Sequence, residues 1–140
     1  MARVMLKSVR NGIKAIPLLY VTFKYIASPY KIEGKSMEPS LCHNDIILCN
    51  KMANVFQDYQ VNDIVVLKSP SNPSEYLVKR VRGMEYDIIM NKNEIVKIPS
   101  GHCWLEGDNA RASWDSRTYG PFPIGLLVGK VSKNLFNLGL

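Results

Sequence analysis

Tyr76-Leu77-Val78-Lys79-Arg80-Val81 alternates like a β-strand, with Leu77, Lys79 and Val81 on one face and Tyr76, Val78 and Arg80 on the other. A lysine thus stands between two apolar neighbours, where a hydrophobe is expected. Two readings are open. Lys79 is either an exposed lysine on the polar face of an edge strand, or it is buried. Burial disfavours the ammonium and lowers its pKa, leaving an amine able to take a proton near neutral pH. A serine that such an amine could serve lies upstream, in Gly34-Lys35-Ser36-Met37-Glu38-Pro39-Ser40-Leu41. Ser36 sits between a glycine and a Met-x-Pro turn, and serine is a poor nucleophile until a neighbour accepts its proton. The only histidines, His43 and His102, stand in a turn and at the start of a strand. A Ser-His-Asp triad needs a histidine oriented by a carboxylate, and nothing in the sequence marks either for that role.

Further short β-type runs surround this strand. Asp45-Ile46-Ile47-Leu48-Cys49 follows the His43-Asn44 turn, and Asp63-Ile64-Val65-Val66-Leu67 follows Val61-Asn62. Ser69-Pro70-Ser71-Asn72-Pro73-Ser74 reads as a loop. Ile88-Ile89-Met90 and Ile95-Val96-Lys97-Ile98 flank Asn91-Lys92-Asn93 as a hairpin. Cys103 to Glu106 and Ile124 to Val131 complete the strands. No segment beyond residue 31 keeps helical periodicity over three turns, so the body is expected to be mainly β, a bent or barrel-like antiparallel sheet. The chain has no internal repeat. Leu126 to Leu140 is interrupted by Lys130, Lys133 and Asn134, which argues against a membrane span there.

The 140 residues suit one domain with an appendage, and 46% hydrophobic against 21% charged residues describe an ordinary globular composition. The net charge of +6 is localised. Arg3, Lys7, Arg10, Lys14, Lys24 and Lys31 precede the first acid, Glu33, and the twelve basic and twelve acidic residues from there on cancel. A nucleic-acid partner, which would need a basic patch on the folded body, is not expected. Cys42, Cys49 and Cys103 show no C-x-x-C and no zinc-like spacing with histidine, so they read as packing residues, and neither metal nor cofactor is expected.

Residues 1–30 read as a separate N-terminal element and 31–140 as the β body. The run between Lys14 and Lys24 holds only nine residues, short of the ~20 that cross a bilayer. The basic residues recur at helical spacing opposite apolar ones, with Pro17 as a kink. That pattern predicts a helix lying on, or tilted shallowly into, an anionic membrane surface. It also has the acid-free, basic character of a mitochondrial targeting region. The alternative is a helix packed on its own domain.

Gly34 to Leu41 resembles the serine box of type I signal peptidases, Ser-Met-x-Pro-Ser/Thr at its core. Asn62-Asp63-Ile64-Val65-Val66 resembles their Gly-Asp-Ile-Val-Val strand. Lys79-Arg80-Val81-Arg82-Gly83-Met84-Glu85-Tyr86-Asp87 is similar to their lysine box, Lys-Arg-Val-x-Gly-x-x-Gly-Asp. Gly107-Asp108-Asn109 and Ser113-Trp114-Asp115-Ser116-Arg117, closed by Tyr119-Gly120-Pro121, resemble the final box. Any one box alone is weak; four in family order over about residues 32 to 131 are specific. The chain departs at Gly34, where some members carry a second oxyanion hydroxyl, at Tyr86 for glycine, and at Ser40 for threonine.

The resemblance implies a fold of the signal-peptidase type and a Ser–Lys dyad, with Ser36 as nucleophile and Lys79 as general base and then proton donor to the leaving amine. It implies that Ser113 orients the lysine amine, that Asp115 and Arg117 form a structural ion pair beside it, and that Asp108 supports the same corner. The backbone N–H of Ser36 is the implied oxyanion donor. Met37 and Ile32 are expected near the pocket for the residue before the scissile bond. The compact body is most similar to the mitochondrial inner-membrane branch of the family. That implies membrane-anchored precursor proteins as substrates, lipid contact and pairing with a second, related protease subunit. It also implies a catalytic domain facing the intermembrane space. The alternatives are a short bacterial signal peptidase at the outer face of the plasma membrane, a self-cleaving SOS-repressor-type Ser–Lys peptidase, or a non-catalytic partner-binding subunit. The repressor type needs a DNA-binding domain or a cleavable linker, and neither is visible in these residues.

Overall fold

Ile64-Val65-Val66-Leu67 is a β-branched, apolar run, and a strand of that kind is stable only if both of its faces are covered. In the computed structural model, which describes residues 17 and 20–136, that run lies inside a seven-stranded sheet, and Val65, Val66 and Leu67 are fully buried. In chain order the strands are β1 (Ala27–Lys31), β2 (Ile46–Asn50), β3 (Ile64–Lys68), β4 (Tyr76–Gly83), β5 (Ile88–Asn91), β6 (Glu94–Lys97), β7 (His102–Glu106), β8 (Phe122–Pro123) and β9 (Leu127–Phe136). Two short helices interrupt them, α1 (Met52–Phe56) after β2 and α2 (Ser116–Tyr119) before β8. The large sheet is a curled antiparallel half-barrel in the order β1-β2-β9-β3-β4-β7-β8, and β5 and β6 form a separate hairpin.

Alternation along β3 divides the apolar residues between two cores. Val65 and Leu67 join Tyr59, Val81, Cys103, Leu105, Phe122 and Leu127 in one. Val66 joins Ile32, Met37, Leu41, Ile47 and Cys49 in the other. Cys49 and Cys103 are thus core residues, and burial pushes their thiols up to about 11 and about 12.

Most strands stand close to where the residue pattern puts them, but that pattern does not foresee β8, and Ile124–Leu126, read as the start of the last strand, is a 3-10 turn ahead of β9. Ala27 to Tyr30, assigned to an N-terminal helix, pair instead with β2 from Ala27↔Asn50 to Lys31↔Ile46, as the outer strand of the sheet. Pro29 explains the difference, since proline lacks an amide donor and is tolerated on an edge strand but not inside a helix. Ahead of β1, Thr22–Ile26 forms a short π-helical turn. No helix among the described residues is long and apolar enough to cross a membrane. The rest of the predicted N-terminal helix, residues 1–16, 18 and 19, lies outside the described residues. α1 was not apparent in the pattern. Asn50 Oδ1 accepts the Met52 N–H at its start, and Gln57 ends it with a left-handed φ of 51°. Tyr86, where the lysine box ordinarily has glycine, adopts a φ of 70°, the region in which glycine is free and other residues are strained.

Candidate active site

Ser36 belongs to the β1–β2 connection, which is pinned at both ends. Ile32 N–H donates to Asp45 O at 2.8 Å and Asn44 N–H to Ile32 O at 2.9 Å. Met37 and Leu41, 1% and 4% exposed, anchor the loop in the second core. Gly34 turns the chain with a φ of 91°, and its N–H donates to His43 Nδ1 at 3.1 Å. His43 is therefore a brace of this loop, and His102 Nδ1 lies 2.9 Å from Ser100 O. Among the described residues neither histidine pairs with a carboxylate or with Ser36, so the triad alternative has no geometry behind it.

Lys79 is buried on β4, 4% exposed and opposite Val65. Burial pushes its pKa down; Asp115 opposes that shift and Arg117 adds to it. Its Nζ donates to Ser113 Oγ at 3.0 Å, and Ser113 donates its single proton to Asp115 Oδ2 at 2.6 Å. Ser113 can therefore only accept from Lys79. A neutral Lys79 spends one N–H there and keeps its lone pair free for another partner. Ser36 and Lys79 line the same cleft, of about 540 Å³. No hydrogen bond joins them in this structure, and catalytic pairs of this kind commonly tighten only around substrate.

Asp115 is fully buried and holds the corner together. It accepts from Gly107 N at 2.8 Å, from Arg117 N at 3.1 Å, from Arg117 Nε at 3.0 Å and from Arg117 Nη2 at 2.6 Å. Burial raises its carboxyl, but the bonds from Arg117, Ser113 and Gly107 outweigh that and hold it below the usual carboxylate range. Asp108 follows Gly107 of that corner in the chain, and the bonds of its own carboxylate go to Arg80 rather than to the groups around Asp115. It takes a two-pronged bond from Arg80, Nε to Oδ1 at 2.8 Å and Nη2 to Oδ2 at 2.7 Å, and the same Nη2 reaches Ser40 Oγ at 3.2 Å. Arg80 follows Lys79 on β4 and faces the other way. This second network ties β4 to the serine loop from behind.

Met37 and Ile32 line a second hollow of about 450 Å³ with Ser36, Val66 and Val78. Trp114, Tyr119, Phe122 and Leu77, to which the sequence assigned no role, wall the main cleft. The rings of Trp114 and Tyr119 lie 6.2 Å apart and those of Tyr119 and Phe122 6.5 Å apart.

Gly107 is the other residue without an assigned role. Ser36 O accepts from Asn109 N at 2.9 Å, so the serine loop rests directly on this segment. A Cβ at Gly107 would overlap both Ser113 Oγ and Ser36 O. Gly107→Ala is expected to cost about 1–3 kcal/mol of stability and to depress activity together with it, measured by thermal unfolding and peptide cleavage. An unshifted melting temperature would count against the crowding argument.

Comparison with known proteins gives consistent results. The sequence profile of the family described as signal peptidase, peptidase S26, matches residues 5–98 and 86–136. Mitochondrial inner membrane protease subunit 1 of Mus musculus is 39% identical over 120 residues, 81% of this chain and 72% of its own length. Mitochondrial inner membrane protease subunit 2 of Schizosaccharomyces pombe is 40% identical over 131 residues, 86% of this chain and 71% of its own. Mitochondrial ATP-independent inner membrane protease subunit 1a of Arabidopsis thaliana is 36% identical over 126 residues, 84% and 75% of the two chains.

Proposed function

The chain belongs to the signal peptidase family, and on that premise we propose that it is a membrane-bound serine endopeptidase acting through a Ser36–Lys79 dyad. Its substrates are membrane-anchored precursor proteins, from which it removes N-terminal sorting peptides. It works as a subunit of the mitochondrial inner membrane protease, its catalytic body facing the intermembrane space. The names of the relatives, subunit 1 and subunit 2 at similar identity, support pairing with a second, related subunit. The observation that carries the reading is Lys79, a buried amine held by Ser113 in the cleft that Ser36 also lines.

In this mechanism neutral Lys79 takes the Ser36 hydroxyl proton as Oγ attacks the scissile carbonyl. The tetrahedral oxygen faces the Ser36 backbone N–H, which has no acceptor among the described residues. One such donor typically contributes ~10²–10³ in turnover. The C–N bond then breaks, and the Lys79 ammonium gives its proton to the leaving amine. Lys79 next deprotonates water, which attacks the Ser36 ester; as the ester C–O bond breaks, the Lys79 ammonium returns its proton to Ser36 Oγ, and the sorting peptide leaves with a new C-terminal carboxylate. The hollow lined by Met37 and Ile32 accommodates the residue before the scissile bond.

The pH dependence tests this assignment. Only the neutral amine is competent, so kcat/KM is expected to rise with pH along a limb centred below the usual lysine value of 10.5, because burial lowers the pKa. Stability has the same sign. Between the lowered folded value and the unfolded one, the unfolded state binds more protons, so the protein gains stability as pH rises through that window. The measurement is cleavage of a membrane-anchored precursor by the full chain in detergent across pH. A precursor left intact, or a rate without that limb, would sink the proposal.

A further inference from the structure

The described surface exposes large hydrophobic side chains in three places: Ile88, Met90 and Ile95 on the β5–β6 hairpin, Trp114 and Tyr119 at the cleft, and a patch shared by α1 and residues 20–26 that lies among cations. On α1, Val55 and Phe56 are 67% and 72% exposed. Across from them, Tyr20, Val21, Tyr25 and Ile26 are 62%, 46%, 57% and 45% exposed. The two elements are joined, since Lys51 N–H donates to Ile26 O at 2.8 Å and Lys51 Nζ to Lys24 O at 3.1 Å. Tyr25 and Val55 border one groove of about 350 Å³ together with Lys24, Lys51 and Lys68, and no acid lines it. Lys24 lies 5.5 Å from the Tyr20 ring and 5.2 Å from the Tyr25 ring. Aromatic and aliphatic side chains among cations, without acids, are what the headgroup boundary of an anionic bilayer receives.

We propose that α1, through Val55 and Phe56, is a second membrane contact beside the N-terminal segment, with Lys24, Lys51 and Lys68 on anionic headgroups. The occupant follows from charge and from continuity. The chain upstream of Tyr20 is itself basic and acid-free in sequence, with Arg3, Lys7, Arg10 and Lys14, so the patch follows a segment of the same composition. The placement also bears on the peptidase reading, on which this consequence rests. Lys68 leads directly into Ser69, Pro70 and Ser71, and Gly125 follows Phe122 and Pro123, all of which border the Ser36–Lys79 cleft. Two contacts fix an orientation that one tether leaves free, and this one sets the cleft at the bilayer surface, where a precursor emerges beside its own anchor.

The test labels the full chain at Phe56→Cys with an environment-sensitive fluorophore, in a Cys42→Ser background that leaves only the buried Cys49 and Cys103. The same label at Asn93→Cys, in the β5–β6 turn, is the control. With vesicles of phosphatidylcholine containing a third phosphatidylglycerol, the Phe56 label is expected to shift to the blue and brighten, and the Asn93 label to stay as in water. Lys51→Gln and Lys68→Gln are each expected to weaken vesicle binding about fivefold. The double variant Val55→Asp/Phe56→Asp is expected to cut a soluble peptide at the wild-type rate and a vesicle-borne precursor at least about tenfold more slowly. A Phe56 label that stays water-like on a chain that sediments with vesicles would overturn the proposal. So would a blue shift without vesicles that grows with protein concentration, which would assign the patch to a second copy of the chain. Failure of the wild-type chain to cut either substrate would refute the peptidase reading, while the label alone would still decide the docking.

Discussion

Lys79→Ala is expected to lower turnover on a membrane-anchored precursor on the order of 10⁴-fold or more, and Ser36→Ala by at least as much. On the dyad reading the two residues act on one proton, so the double variant is expected to be no slower than either single one. Lys79→Arg should be equally inactive despite keeping length and charge, because a guanidinium does not deprotonate at any working pH. Lys79→Met separates catalysis from folding. It fills the strand position opposite Val65 with an apolar chain of similar length and removes a buried amine, so it should be inactive yet as stable as wild type, or more stable by about 1 kcal/mol. Precursor processing on gels, beside thermal unfolding of each variant, decides the matter. Any of these Lys79 variants, arginine included, that keeps a tenth of the activity would exclude the lysine as base.

The second large effect is expected at Asp115. Its carboxylate receives Gly107 N, Ser113 Oγ and three groups of Arg117 with no exposure to solvent. Asp115→Ala would strand all of these donors at once, and breaking a buried network by removing one partner costs about 3–5 kcal/mol. Discounted for Arg117, whose side chain is 28% exposed and can turn to water, about 3 kcal/mol remains, or a fall on the order of 10 °C in melting temperature. Activity should fall further than stability alone explains, because Ser113 loses the acceptor that fixes its proton. The sign with pH is also set. The folded carboxyl lies below its ordinary 3.8, so its contribution is complete above that value and is lost as pH falls through the lowered one. The acid limb of the stability curve should therefore flatten in the alanine variant. A wild-type melting temperature for Asp115→Ala would remove the corner from the account.

Most of the strands were legible because their alternation and the turns between them are local features. β1 was not. Basic residues and aromatics at helical spacing extend past Lys24 in the sequence, and only Pro29 argued for an edge strand. Ser36 and Lys79 were individually ambiguous, since periodicity alone permits an exposed lysine as readily as a buried one. Four boxes in order favour the dyad reading, and of the two readings of Lys79 the structure shows the buried one. The sequence could not reveal that Asp108 pairs with Arg80, because which face of a strand meets which loop is a tertiary fact. Gly107 was hidden for the same reason, since a close crossing of two backbones leaves no mark on either except a missing side chain.

The strand order has a consequence for the timing of synthesis. β9, the last strand made, lies between β2 and β3, so the sheet before its arrival consists of β1-β2 on one side and β3-β4-β7-β8 on the other. Ser36 belongs to the first part and Lys79 to the second. A ribosome delivers the serine early, the lysine midway, and the strand that seats one against the other at the end. On the dyad reading, a chain still lacking β9 would hold Ser36 and Lys79 on two parts joined through contacts such as Arg80–Ser40 and Asn109–Ser36, and full proteolytic competence is expected to await the C-terminal strand.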